Sequence, residues 1–119
     1  MENNKPLGIK RASEFLELKH SGKRYWPTKW LLLNYQKNEL GTIRFGITAS
    51  RKVGSAVVRN KLKRWCREAI RAFSIDEGSI GVDVNIIFRP MDSDFYKGLS
   101  HDEFIKDFKR GLASLRKNC

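Results

Sequence analysis

The sequence predicts an α+β fold, a two-layer sandwich with the element order α-β-β-β-α-β-α, and three observations carry that prediction. The stretches from Ile43 to Ala49 and from Val82 to Arg89 alternate apolar and polar side chains, the period of a strand with one packed face. Between them the apolar residues return every three or four positions, as in an amphipathic helix, and the same period recurs from Phe104 to Leu115. Helices and strands therefore interleave, and 119 residues without repeats or low-complexity tracts allow one domain around a single modest core.

In chain order, residues 1–8 carry no periodic pattern and read as a flexible lead-in. A first helix runs from Ala12 or Ser13 to His20, with Phe15 and Leu18 on its packed side, Ser13 as cap and Gly22 as terminator. Two extended segments follow, Arg24 to Trp26 and Trp30 to Tyr35, parted by Pro27, which has no N–H for a ladder. Trp26, Trp30 and Tyr35 read as core or sheet residues. Gln36 to Gly41 is a polar turn into the strand Ile43 to Ala49, which is expected to pair antiparallel with the segment before it. Ile43, Phe45, Ile47 and Ala49 face the core from that strand and Arg44, Gly46 and Thr48 face away.

A cationic loop, Ser50 to Ser55, leads into the long helix, with Gly54 supplying backbone freedom. At about 100° per residue, Leu62, Trp65, Cys66, Ala69, Ile70, Ala72 and Phe73 share one arc, whereas Asn60, Lys63, Arg64, Arg67 and Arg71 share the other. The helix is expected to give way after Phe73 to a polar connection, Ser74 to Gly81. The strand from Val82 then turns Val84, Ile86 and Phe88 inward and Asp83, Asn85 and Arg89 outward, and Pro90 ends it. The last helix starts at Ser100, where Ser-His-Asp-Glu has capping-box spacing, and packs through Phe104, Phe108, Leu112 and Leu115.

Charge narrows the function. The net charge is +11, and from Arg51 to Arg71 eight cations face one anion, Glu68. Arg59, Lys63, Arg67 and Arg71 repeat every fourth residue, so like charges stack along one helix face, which costs a few tenths of a kcal/mol per pair. A polyanionic partner offsets that repulsion, and nucleic acid fits best. No apolar run approaches the ~18 residues of a membrane span, and the N-terminus has no apolar signal-peptide core, so a cytoplasmic protein is expected. Cys66 reads as core packing. Cys119 is too far from it for metal-ligand spacing, and His20 and His101 read as surface or capping residues. The carboxylates Asp83, Asp92, Asp94, Asp102 and Asp107 form no recognised catalytic motif.

The ungapped stretch Ser50 to Arg71, SRKVGSAVVRNKLKRWCREAIR, resembles the signature of the bacterial ribonuclease P protein subunit. Arg59-Asn60-Lys61 stands where that family has its RNR motif, with lysine at the third position in place of arginine. Charge is kept there and the planar guanidinium fork is lost. The resemblance continues more weakly over a single domain, 9–117. It implies the same order of elements and a left-handed β-α-β crossover around the basic helix, against the usual handedness.

What the resemblance implies for function is a protein component of a ribozyme that removes the 5′ leader of precursor tRNA. The chemistry is then carried by the RNA and Mg2+, with no autonomous catalytic residues and no metal site on the protein, which is itself a monomer. The motif region faces the catalytic RNA through Arg51, Lys52, Arg59, Asn60, Lys61, Lys63, Arg64, Arg67 and Arg71, although solubility alone also accounts for Lys63 and Arg71. The resemblance further implies a cleft for the single-stranded leader, with Phe15 as its aromatic and Arg89 as its cation. A second aromatic expected four residues after Phe15 is Lys19 in this chain. On the residues alone Phe15 is equally a core phenylalanine. A noncatalytic ribosomal or chaperone protein would share the composition but not the long signature, and an autonomous metal-dependent nuclease would cleave without an RNA subunit.

Overall fold

Nine elements follow one another in the computed structural model, which describes residues 5–78, 80–92 and 94–118. They are β1 (Leu7–Gly8), α1 (Ala12–Ser21), β2 (Lys23–Thr28), β3 (Leu31–Lys37), β4 (Ile43–Thr48), α2 (Ala56–Asp76), β5 (Val82–Phe88), the one-turn α3 (Phe95–Gly98) and α4 (His101–Asn118). The expected order is present, with β1 and α3 added. Of the expected lead-in, residues 1–4 lie outside the described residues, as does Cys119. Leu7 and Gly8 pair parallel to Arg44 and Phe45, and the Ile9 N–H donates to the Phe45 carbonyl at 2.8 Å.

The sheet has the order β1-β4-β5-β3-β2. The expected antiparallel pair of β3 and β4 is therefore absent, because β5 lies between them, antiparallel to β3 and parallel to β4. Residues Val82, Val84 and Ile86 of β5 are fully buried on one face, and Asn85 is buried on the other. The turn after β3 holds the gap open: Asn38 donates its N–H to the Gly81 carbonyl and its amide to Asp83 Oδ1 at 2.8 Å. Pro27 falls inside edge strand β2, where the register shifts and a missing donor faces no neighbour.

One sheet face carries the core. Ile43, Leu31, Leu33 and the inward residues of β5 meet Leu62, Cys66 and Ile70 of α2 and Phe104, Phe108, Leu112 and Leu115 of α4, all buried. The arc expected for α2 is the one that packs, with Val58 added and Ala72 only half-buried. Ser55 caps α2 as acceptor from Val58 N–H at 3.3 Å, and Ser100 accepts from Glu103 N–H at 3.1 Å at the start of α4. Gly111 lets α4 approach the sheet, since a Cβ there would stand 2.7 Å from Pro27 Cγ.

Three local expectations change. α1 is capped from Arg11 through its carbonyl rather than by Ser13, with Glu14 N–H donating to Arg11 O at 3.0 Å. Gly22 ends it in extended backbone and must be glycine for lack of room, since a Cβ would stand 2.5 Å from the Leu18 carbonyl and 2.9 Å from that of Tyr35, and Gly54 likewise answers to crowding by Val58. α2 continues one turn past Phe73, to Asp76, closed by Glu77 N–H to Phe73 O at 2.8 Å.

Trp65 sets the orientation of α2. Its ring meets Phe104 at 5.5 Å and the His101 ring edge-on at 5.0 Å, with Lys61 Nζ 4.9 Å over its face. Trp65→Ala is expected to cost about 3 to 5 kcal/mol in chemical denaturation. A loss within experimental error would mean that this face does not hold the helix.

Candidate RNA interface

Burying the apolar arc of α2 forces its cations outward. Arg64, Arg67 and Arg71 are exposed with Asn60, and Lys63 and Arg59 are half-buried. Arg51 and Lys52 are exposed beside them in a turn closed by Val53 N–H to Ser50 O at 2.9 Å, with Val53 buried as its anchor. Arg59 Nε donates to the Gly54 carbonyl at 3.2 Å, which fixes the loop to the helix and leaves its other N–H groups for a ligand. Lys61 differs from its neighbours. Its ammonium donates to the Tyr96 carbonyl at 3.3 Å and lies over Trp65, so it ties α2 to α3.

None of the ion pairs among the described residues involves an α2 cation; they join Arg44 to Glu14 and Asp83, Lys97 to Asp94, and Arg110 to Asp107. The ion pairs thus lie elsewhere, and Glu68 is the one carboxylate among the α2 cations from Arg59 to Arg71. Such a face binds phosphates, with affinity that falls as salt rises.

The second surface lies on the other side of the sheet, where α1 covers only part of it. Alternation places Arg24, Asn34, Asn85 and Gly46 in one row across β2, β3, β5 and β4, and Leu32, Ile87 and Thr48 in the next. A cleft of about 610 Å3 runs between these rows and α1 and is lined in part by Phe15, Lys19, Arg24, Asn34, Asn85 and Ile87. Phe15 does two things: its ring lies against Gly46, where any Cβ would collide with it, and it forms part of the cleft wall. Lys19 is exposed at the same wall, and Arg24 donates to its carbonyl at 3.4 Å. Arg89 continues the outward row of β5 but lines a separate hollow with Lys29, Pro90, Met91 and Asp92.

Arg24, Asn34, Asn85 and Ile87 were not singled out from the sequence. Asn85 could have been found as an outward residue of its strand; the others needed the strand order. The Asn34 amide donates to the carbonyls of Leu18 at 2.8 Å and Lys23 at 3.2 Å, which pins the end of α1 to the sheet. Thr48 donates to Asn85 Oδ1 at 2.9 Å, so the amide N–H groups of Asn85 are left as donors on the cleft floor.

The other end of α1 is held by charge. Arg44 meets Asp83 through two bonds of 2.9 and 2.8 Å and Glu14 through one of 2.6 Å. The hydrogen bonds to Asp83 and Glu14 push the Arg44 pKa further up. Burial alone would raise the Asp83 carboxyl, but hydrogen bonds from Arg44 and Asn38 and the Arg44 charge outweigh it and hold it below its usual value. Burial pushes the Cys66 thiol up, as befits a core residue. Among the described residues no three His, Cys, Asp or Glu side chains gather to hold a metal ion, and no helix is long and apolar enough to cross a membrane.

A family model described as Ribonuclease P matches residues 4–116. The chain is 33% identical to the ribonuclease P protein component of Clostridioides difficile, over 98% of this chain and 95% of that one. It is 38% identical to that of Desulforapulum autotrophicum, over 89% and 88%. Among solved structures it resembles the ribonuclease P protein of Thermotoga maritima, with a TM-score of 0.70 at 28% identity over 93% of this chain and 96% of that one. The Staphylococcus aureus protein, at a TM-score of 0.75 and 23% identity over 92% and 94%, shares the fold.

Arg44→Ala is expected to cost about 2 to 3 kcal/mol, between the values of exposed and buried pairs. Because the folded Asp83 pKa is lowered, its contribution is present above the unfolded carboxyl value of about 4 and is lost as pH falls through the folded value. Denaturation as a function of pH checks both points: the variant should lose less stability than the parent on acidification. Parallel acid limbs would show that Arg44 does not hold this carboxylate.

Proposed function

The chain belongs to the ribonuclease P protein family, and from that premise we propose that it binds the catalytic RNA of ribonuclease P through α2 and the 5′ leader of precursor tRNA through the α1 cleft. The observation that carries the proposal is the pairing of two different surfaces on opposite faces of one sheet. The α2 face is cations and an amide with Glu68 as its one carboxylate between Arg51 and Arg71, suited to the backbone of a folded RNA. The cleft offers an aromatic ring, the cations Lys19 and Arg24 and the amide of Asn85, with no carboxylate among its lining residues. That combination suits a single strand, whose unstacked bases lie on rings while its phosphates meet cations.

In this reading the protein assists endonucleolytic removal of the leader by holding substrate, and the RNA carries the reaction. Mg2+ held mainly by the RNA subunit would supply the chemistry, activating water and stabilising the leaving oxygen. In this reading the chain's own part is to bind and to orient. Leader contacts remote from the scissile bond add binding energy that mature product lacks, so substrate is held more tightly than product. The RNA contacts are Arg51, Lys52, Arg59, Asn60, Lys63, Arg64, Arg67 and Arg71, with Lys61 supporting them from its bond to Tyr96. Arg89 meets leader beyond the cleft proper. The protein works as a monomer in the cytoplasm.

Phe15→Ala should weaken holoenzyme binding to precursor tRNA by roughly five- to a hundredfold, the range of one lost base stack, and leave binding to mature tRNA nearly unchanged. Arg89→Ala should act in the same direction with a smaller effect. Equal losses for precursor and mature tRNA, in variants that still bind the catalytic RNA, would reject the cleft as the leader site.

A further inference from the structure

The extra turn of α2 and the strand β1 stand on two sides of a groove of about 690 Å3, on the sheet face opposite the leader cleft. Phe45 is its half-buried apolar floor. Ile75, 76% exposed, leaves an aliphatic side chain in water at its rim. Arg67, Arg71 and Lys5 line it, and no acidic residue does among the described residues. The volume falls in the range of small-ligand sites, about 300 to 1,000 Å3.

An apolar slot and a cationic rim are together what an unpaired nucleotide requires. We infer that this groove takes a single extruded nucleotide of the ribonuclease P RNA. Its base packs between Phe45 and Ile75, and its flanking phosphates meet Arg67 and Arg71. The inference rests on the proposed docking of α2 against that RNA. The leader is not the occupant, because Phe45 and Gly46 project from opposite faces of β4, and Arg67 and Arg71 make the groove continuous with the α2 cations.

Gly8 provides the test. It pairs in register with Phe45, and a Cβ there would meet nothing within 4 Å, so a side chain at this position enters the groove without removing any charge. Gly8→Val should lower affinity for the RNA subunit about five- to a hundredfold with an unchanged salt slope. Arg64→Ala, outside the groove, should instead flatten the slope by roughly 0.7 to 0.9. Ile75→Ala removes an exposed side chain and should weaken binding several-fold; it decides the matter alone if Gly8→Val does not fold. Chemical probing of the RNA should find one nucleotide protected by the parent protein and reactive with either variant. Parental affinity and an unchanged probing pattern in Ile75→Ala and folded Gly8→Val, with Arg64→Ala still weakened, would overturn the groove and leave the docking of α2 intact. Failure of the parent protein to bind the RNA would overturn both.

Discussion

The rotational setting of α2 is the constraint from which the rest of the molecule follows. Leu62, Cys66 and Ile70 are wholly buried against the sheet, and that burial exceeds anything the polar side of the helix gains from packing. Once the arc is fixed, the cations at four-residue spacing have one direction left, and none of them is ion-paired among the described residues. Arg59 and Lys61 show how this is tolerated: each gives hydrogen bonds to backbone carbonyls and so converts part of its charge into local order. The remaining repulsion is a standing bias toward a polyanion, relieved on binding.

The sheet turns this one-sided chemistry into a two-sided protein. Alternation along β5 sends Val84 and Ile86 to the core and Asn85 and Ile87 to the cleft. α1 is too short and too sparsely apolar to cover the second face, with Leu18 its one buried residue. It is instead held at two points, by Asn34 at its end and by Arg44 near its start. A helix held at its ends over a partly bare sheet leaves a cleft, and the absence of a side chain at Gly46 lets Phe15 rest on the floor of that cleft without closing it.

Much of this was legible in the residues, and what was not has identifiable causes. The helix faces and the alternations at 43–49 and 82–89 follow from period alone, and the expected arc of α2 differs from the buried one only at its ends. Strand order was not legible, because insertion of β5 between β3 and β4 depends on a crossover and on bonds from Asn38 that no local pattern announces. For the same reason Phe15 and Lys19 were found through a family resemblance, while Arg24 and Asn34, which reach the cleft from β2 and β3, were passed over. Lys61 belonged to the right motif, yet its contact with Tyr96 spans 35 residues and was invisible to helix periodicity. β1 is two residues long and has no period to detect.

The central claim is that this chain lends binding energy to a reaction carried by RNA. The most direct measurement is 5′-leader removal from precursor tRNA by the ribonuclease P RNA of its own organism at low Mg2+, with and without the purified protein. The account predicts processing that is slow or absent with RNA alone, restored by the protein, and undetectable with protein alone. Cleavage by the protein without RNA, or RNA-catalysed processing indifferent to its addition, would contradict it.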